Sequence, residues 1–403
     1  MQKPTLLTVD ALRRAISSRA AAFRCRRRLQ PAGGPGEKVF PPTYAESTYA
    51  IEERRVPGRE APVTCVVLDS VQSQANRMEQ ALQEAWEQGR ARIPVICVDF
   101  SAVPHPGSPK RITSLQAPHR IADAILRDSE FQGVPFRESA MAQGVNQACA
   151  WNATPLLELC PTALVFGMWD TTGPHGALGA RFERAMVSEI VGVGATLSDR
   201  HRNRGTRVDP LGASRSVPLV REGNGHWRVV EAGMSPKVRV RPSELNHGSV
   251  PFESANSGVT LEFAEQTSTL SLIALRRLRF PVAGRSPEGA WDEAAHTVLA
   301  ALSLASAVLA FSSGLDLRSR CLLWPEEPMV WELLAEPGQP AGRWELKPSD
   351  ALNLLHAAVD QARAVGLPWR EEPVVLTPSM ALLELVRRSH ELPWRSASST
   401  ELS

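Results

Sequence analysis

Between Pro62 and Phe100 the chain sets an apolar run, PVTCVVLD, before a stretch with Met78 and Leu82 four residues apart, and closes on a second apolar run, PVICVDF. Short apolar runs bounded by polar residues read as buried strands, and residues four apart share one helix face. Strand, helix and strand in succession imply packed layers rather than a helix bundle. A chain of 403 residues with 43% hydrophobic content can supply the core those layers need, in one large domain or two ordinary ones.

The same reading extends along the chain. A helix is expected from about Pro118 to Phe131, a helical turn at PLLELCP, and strands at TALVFGMWD and RAMVSEIVGVG. From Asp199 to about Arg241 the sequence turns polar, with Gly/Pro turns and short alternating pieces such as WRVV and KVRV, which predicts a β-rich insertion. GVTLEFAEQ, a helix at TLSLIALRRL, an Ala-rich helix and a strand at RSRCLLW resume the compact pattern, and a last helix is expected near Asp350 to Val365. The first sixty residues, with the turn PAGGPGEKVFPPTY and the only two tyrosines, Tyr44 and Tyr49, read as an arm or loop. The expected units are thus an Arg-rich arm over 1–60, a core over 61–330 containing the 199–241 insertion, a C-terminal helical segment over 331–393, and a frayed tail over 394–403.

Ala294 to Leu315 contains no Asp, Glu, Lys or Arg. Its length approaches a bilayer span, but His296, its serines and its polar flanks favour a small-residue helix inside the protein. The N-terminus has no charged region followed by an apolar run, so no signal peptide is expected. Six cysteines, at 25, 65, 97, 149, 160 and 321, form no CxxC pair and no Cys/His ligand spacing. They read as reduced thiols of a cytosolic protein.

Five of the 45 basic residues are Lys, so arginine carries the positive charge. Seven Arg and no acid lie between Ala11 and Gly36, including Arg24, Arg26, Arg27 and Arg28. Such a run is either a solvated face or the electrostatic footprint of a nucleic-acid binder. SVQSQANR, between the first strand and its helix, places Ser70, Gln72, Ser73, Gln74, Asn76 and Arg77 where the helix dipole is positive, with no acid among them. That set suits an anion rich in acceptor oxygens, and equally a polar cap facing water.

His119, Asp123 and Arg127 recur every four residues with Arg120 alongside, as a charge ladder or a binding face. FGMWDTTG ends an apolar run with Trp169 and Asp170, and RVDPLG and RPSELNHG bring Arg207, Asp209, Asn246 and His247 in turn-rich contexts. Arg276 and Arg277 flank a leucine stripe, and Arg318 and Arg320 precede a strand. No phosphate-loop, dinucleotide, zinc-protease, hydrolase or kinase motif is present, nor the aromatic signature of an RNA-reading sheet.

Taken together and in order, FPPTY, LDSVQSQANRME, ITSLQAPHRIADAILRDS, TALVFGMWDTTG, RAMVSEIVG, RVDPLG, RPSELNHG, LSLIALRRLRFP and LRSRCLL resemble the CRISPR-associated RAMP proteins that form the backbone of type I Cascade, in the subtype I-G (formerly I-U) version. The resemblance implies an α+β fold: an RRM-like (ferredoxin-like) palm with β-rich finger or thumb insertions, 199–241 among them, and an additional helical segment. It implies a non-catalytic, cytoplasmic subunit without metal or cofactor that polymerises along a guide RNA (crRNA) in antiviral defence. Its partners would be that RNA, the target DNA strand paired to it, neighbouring copies of itself, other Cascade subunits and a recruited helicase-nuclease, with no membrane. The glycine-rich loop of many RAMP proteins is reduced here, Gly314 being the nearest counterpart.

A guide-holding protein accepts any spacer, so it should grip phosphates and 2′-hydroxyls and leave base edges free. The residues expected to do so are Arg24, Arg26, Arg27, Arg28, Gln72, Ser73, Asn76, Arg77, His119, Arg120, Arg127, Trp169, Arg207, Asn246, His247, Arg276, Arg277, Arg318 and Arg320. Arg77 is expected to leave the core for the RNA groove, so that removing it with Asn76 shifts stability by no more than roughly 0.5 kcal/mol. The alternative within the same superfamily is a metal-dependent ribonuclease cutting target RNA through Asp170, Asp209 or His247.

Overall fold

The arginine-rich N-terminal segment forms a helix and an interior strand of the main sheet. The computed structural model describes residues 3–45, 48–102, 109–172, 179–197, 217–222, 226–230, 239–245, 247, 258–282, 289–339 and 341–391. In chain order its principal elements are α1 (Val9–Ser17), β1 (Ala22–Pro31), β2 (Ile51–Arg54), β3 (Val63–Asp69), α2 (Val71–Glu87), β4 (Met186–Val193), β5 (Phe263–Ser271), α3 (Gly289–Phe311), β6 (Leu322–Pro325), β7 (Val330–Leu334), β8 (Gly342–Glu345) and α4 (Pro348–Ala364). The main sheet runs in the order Thr5–Leu6, β8, β7, β1, β5, β4, β3, β2, with β6 paired to the far end of β1 and Leu315–Asp316 paired to β6.

With β2 and β3, which lie between β1 and α2 in the chain and extend the sheet at one edge, set aside, β1, α2, β4, β5, α3 and β6 come in the order β-α-β-β-α-β. Their strands lie side by side as β6, β1, β5, β4, and each neighbouring pair is antiparallel. Both helices cover the same face. Gln74 of α2 meets Ser188 and Gln266, and the last carbonyl of α3, at Phe311, meets Arg27 on that side.

The alternation of a strand explains why four nearby arginines do not form an arm. In β1, Phe23, Cys25, Arg27 and Leu29 point under the helices, while Arg24, Arg26 and Arg28 point to the open face. α3 is apolar all round, as befits a helix enclosed on every side, and packs against α1, α2 and α4. It is long and apolar enough to cross a membrane, yet most of it is buried within the fold. Its buried Ser303 and Ser306 donate to the carbonyls of Leu299 and Ser303, so no hydroxyl there is wasted on apolar surroundings.

His296 of α3 sits edge-on to Phe280, and its Nε2 lies 3.0 Å from the Leu278 carbonyl. Burial lowers its pKa from 6.5 to about 4, so the ring is neutral and Nε2–H donates. Because the folded value is depressed, the unfolded chain takes up the proton first. The stability contributed by the neutral ring is present above pH 6.5 and is expected to be lost as pH falls toward 4. Urea unfolding of wild type and His296→Gln at pH 7 and pH 4.5 checks this: the wild type should lose more stability between the two, whereas equal losses would assign the slope to other groups.

A second sheet orders Arg111–Thr113, Ile96–Asp99, Val374–Pro378, Ser129–Phe131 and Val134–Pro135. The segment after 330 therefore adds β7, β8 and Val374–Pro378 to two sheets, beside the helices α4 and Met380–Glu391. The helix expected over 118–131 is broken. Arg120 has φ 54°, Asp123 caps the short helix Ala124–Arg127, and Ser129–Phe131 is a strand, so His119, Asp123 and Arg127 do not share a helical face. TALVF is a helix, Thr162–Phe166, stopped by Gly167 at φ 84°, and only Met168–Trp169 is extended. Of the 199–241 insertion, the described residues include the antiparallel pair Leu219–Arg221 and Trp227–Val229.

Candidate nucleic-acid interface

β3 delivers Asp69 to the start of α2, where the Ser70 hydroxyl accepts the Ser73 N–H at 3.3 Å. No acid occupies the first turn, which leaves the positive end of the dipole uncompensated. Gln72 and Asn76 are exposed and Ser73 is half-buried. Gln74 turns inward instead. It donates to Asp69 Oδ2 at 2.6 Å, and its Oε1 accepts from Ser188 Oγ and Gln266 Nε2, both at 2.8 Å. Gln266 in turn accepts from Arg27 Nε at 2.8 Å, and Arg27 Nη2 reaches the Phe311 carbonyl at 2.6 Å. Arg27 is thus buried under the helices, with its charge on the negative end of α3, and burial lowers its pKa. It cannot face an external anion.

Arg77 is also committed. Its Nε donates to Asp69 Oδ2 at 2.8 Å, while Nη1 and Nη2 donate to the carbonyls of Asp316 and Leu317 at 3.2 and 2.7 Å. Arg318 approaches the other Asp69 oxygen at 3.6 Å and donates to the Phe40 carbonyl at 3.5 Å. Asp69 is fully buried, while the two guanidinium side chains are 27% and 26% exposed. Two cations on one carboxylate leave a surplus of one positive charge beside the uncompensated end of α2. Arg320, at φ 61°, lies over the Phe40 ring with Cζ 4.2 Å from its centroid, on the same turn as Arg318. Gly314, at φ 95°, precedes the short strand Leu315–Asp316 that leads into that turn, and a Cβ there would meet the Trp324 ring at 3.3 Å. Gln72, Ser73, Asn76, Arg77, Arg318 and Arg320 therefore belong to one region, although some 240 residues separate its two segments.

The other expected residues lie elsewhere. On the open sheet face Arg24 pairs with Glu332 at 2.9 Å, Arg26 with Glu265 at 2.7 Å, and Arg28 covers the Phe263 ring. Arg120 is buried on Glu79, and Arg127 is paired with Asp128. Arg276 donates to the carbonyls of Ile16, Ser18 and Ala20, and Arg277 pairs with Glu183. His119 and Trp169 are exposed, and His247 stands edge-on to Trp227. Arg207, Asn246 and Asp209 lie outside the described residues. Asp170 is buried, ion-paired with Arg137 at 2.8 Å, and accepts the Thr172 N–H. Among the described residues no group of three or more His, Cys, Asp or Glu is placed to hold a metal. Sequence reasoning missed Arg181, which lies against Trp169 across a two-residue strand pair and carries no local pattern that would mark it.

Comparison with known proteins places this geometry in context. No curated protein matches the sequence. Residues 23–197, running from β1 past β4 and including the Asp69–Arg77 contact, match the family model described as CRISPR-associated protein GSU0053.

Proposed function

We propose that the chain is a non-catalytic, guide-RNA-binding backbone subunit of a type I CRISPR Cascade complex, of the subtype I-G kind. The observation that carries this reading is the surplus positive charge at the start of α2, where Asp69 and Arg77 lie inside the segment matched to the CRISPR-associated family model and Arg318, beyond that segment, adds the second cation. Helix-start amides, Gln72, Asn76 and the partly exposed guanidiniums of Arg77 and Arg318 are sequence-blind donors, suited to phosphate oxygens and 2′-hydroxyls. The β-α-β-β-α-β arrangement is read as an RRM-like palm, and copies would pack head to tail as an open filament whose length the RNA and the end subunits limit. The guide's free base edges would then pair with a target DNA strand, and other Cascade subunits and a helicase-nuclease would join in the cytoplasm.

Guide affinity should fall steeply with salt, with a log–log slope of about −0.7 per phosphate neutralised, and should scarcely depend on spacer sequence. Gln72→Ala with Asn76→Ala should weaken binding while moving stability by no more than roughly 0.5 kcal/mol, since both side chains are at the surface. Filter binding of two unrelated guides across a salt series checks both points. Strong preference for one spacer at fixed salt would contradict the reading, and Mg²⁺-dependent cutting of RNA at regular intervals, abolished by Asp209→Ala, would overturn its non-catalytic part.

A further inference from the structure

Beside the pair of short strands Met168–Trp169 and Arg181–Phe182 opens a cavity of about 220 Å³. Its walls include Leu164, Leu278 and Ala274, and the ion pair Arg277–Glu183, at 2.9 Å, stands among its polar lining. Arg181 lines it as well, and its Cζ also lies 5.6 Å from the centroid of the Trp169 ring, which is 57% exposed. The guanidinium is exposed and has no carboxylate partner among the described residues, unlike the paired arginines of the open sheet face.

A guanidinium braced by an indole and bordering an apolar cavity suits a neutral planar ring joined to an anionic group. The volume falls below the roughly 300–1,000 Å³ of sites for larger ligands, so one ring system fits and an extended cofactor does not. The geometry points to a slot for a single nucleotide, its base stacked on Arg181 against the Leu164 and Leu278 wall and its phosphate drawn to the uncompensated guanidinium. Where that nucleotide belongs to a bound strand, the inference rests on the RNA-binding reading above. A free nucleoside monophosphate presents the same chemistry.

Two probes separate these sources, using nucleic-acid-free protein and the variants Arg181→Ala and Ala274→Leu, the second of which fills the cavity without removing charge. Titration with AMP should saturate for the wild type and weaken at least about fivefold in both variants, the low end of a lost base stack. In single-stranded RNA carrying one 2-aminopurine at successive positions, a recurring position should brighten on binding the wild type and stay dark with both variants. Saturable AMP binding without a bright position would assign the slot to free nucleotides. If RNA fails to bind at all, the RNA-binding reading falls while the AMP titration still judges the slot. The slot is overturned if AMP does not saturate and no position brightens, or if the signals persist unchanged in both variants with their thermal unfolding intact.

Discussion

Arg120→Ala should destabilise the folded chain by about 3–5 kcal/mol, the range for removing one partner of a buried ion pair. Arg120 Nε and Nη2 donate to the two Glu79 oxygens, both at 2.7 Å, and Nη1 donates to the Gly167 carbonyl at 3.0 Å. The two side chains are 10% and 4% exposed, and the guanidinium also faces the Phe166 ring. The pair ties α2 to the 118–123 turn and to the end of the helix Thr162–Phe166. Burial pushes the Glu79 carboxyl up to about 7, with Arg120 holding it back from rising further. Without Arg120 the carboxyl must rise further and protonate, so the sign of the pH effect is fixed. A raised carboxyl favours the folded state below its unfolded value near 4.5 and opposes it as pH climbs through the folded value. Urea unfolding should therefore show a larger deficit for Arg120→Ala at pH 8 than at pH 5. A deficit within roughly 0.5 kcal/mol at both would place the pair among surface contacts and refute this account.

The same residues show what the sequence conceals. Apolar runs such as TCVVLD and the long Ala-rich stretch declare β3 and α3 by themselves, because their burial needs no partner to make sense. FRCRRRLQ hides its strand because an inward position is Arg27, acceptable only once Gln266 and the end of α3 are in place. β5 has the same disguise, since Gln266 and Ser268 take inward places a hydrophobic pattern would fill. The expected helix over 118–131 fails at Arg120, whose positive φ serves its contact with Glu79 and cannot be read from helical spacing. SVQSQANR could be singled out as a polar helix start. Yet what Arg77 does there depends on Asp69, outside that stretch, and on carbonyls far along the chain. Family resemblance supplied the functional context that local chemistry left open between water and an anion.

Arg77→Ala should accordingly cost about 2–4 kcal/mol, well above the surface-like value that its position after a polar turn implies. The substitution strips a fully buried carboxylate of its 2.8 Å partner and leaves the carbonyls of Asp316 and Leu317 without their donors. Partial exposure of Arg77 and the approach of Arg318 to the other Asp69 oxygen at 3.6 Å keep the loss below that of a fully buried pair. Arg77→Lys retains the charge but cannot span Asp69 and two carbonyls at once, so it should recover only part of the stability. Asn76→Ala, on the exposed side of the same helix, should leave stability within roughly 0.5 kcal/mol. RNA binding then separates structure from function. At temperatures where each variant is folded, Arg77→Lys should keep the wild-type salt slope and Arg77→Ala should lose about one phosphate's worth, because the surplus charge over Asp69 has gone. Normal unfolding of Arg77→Ala would show that Asp69 does not need it. A folded Arg77→Ala protein with an unchanged salt slope would show that the surplus charge does not face RNA.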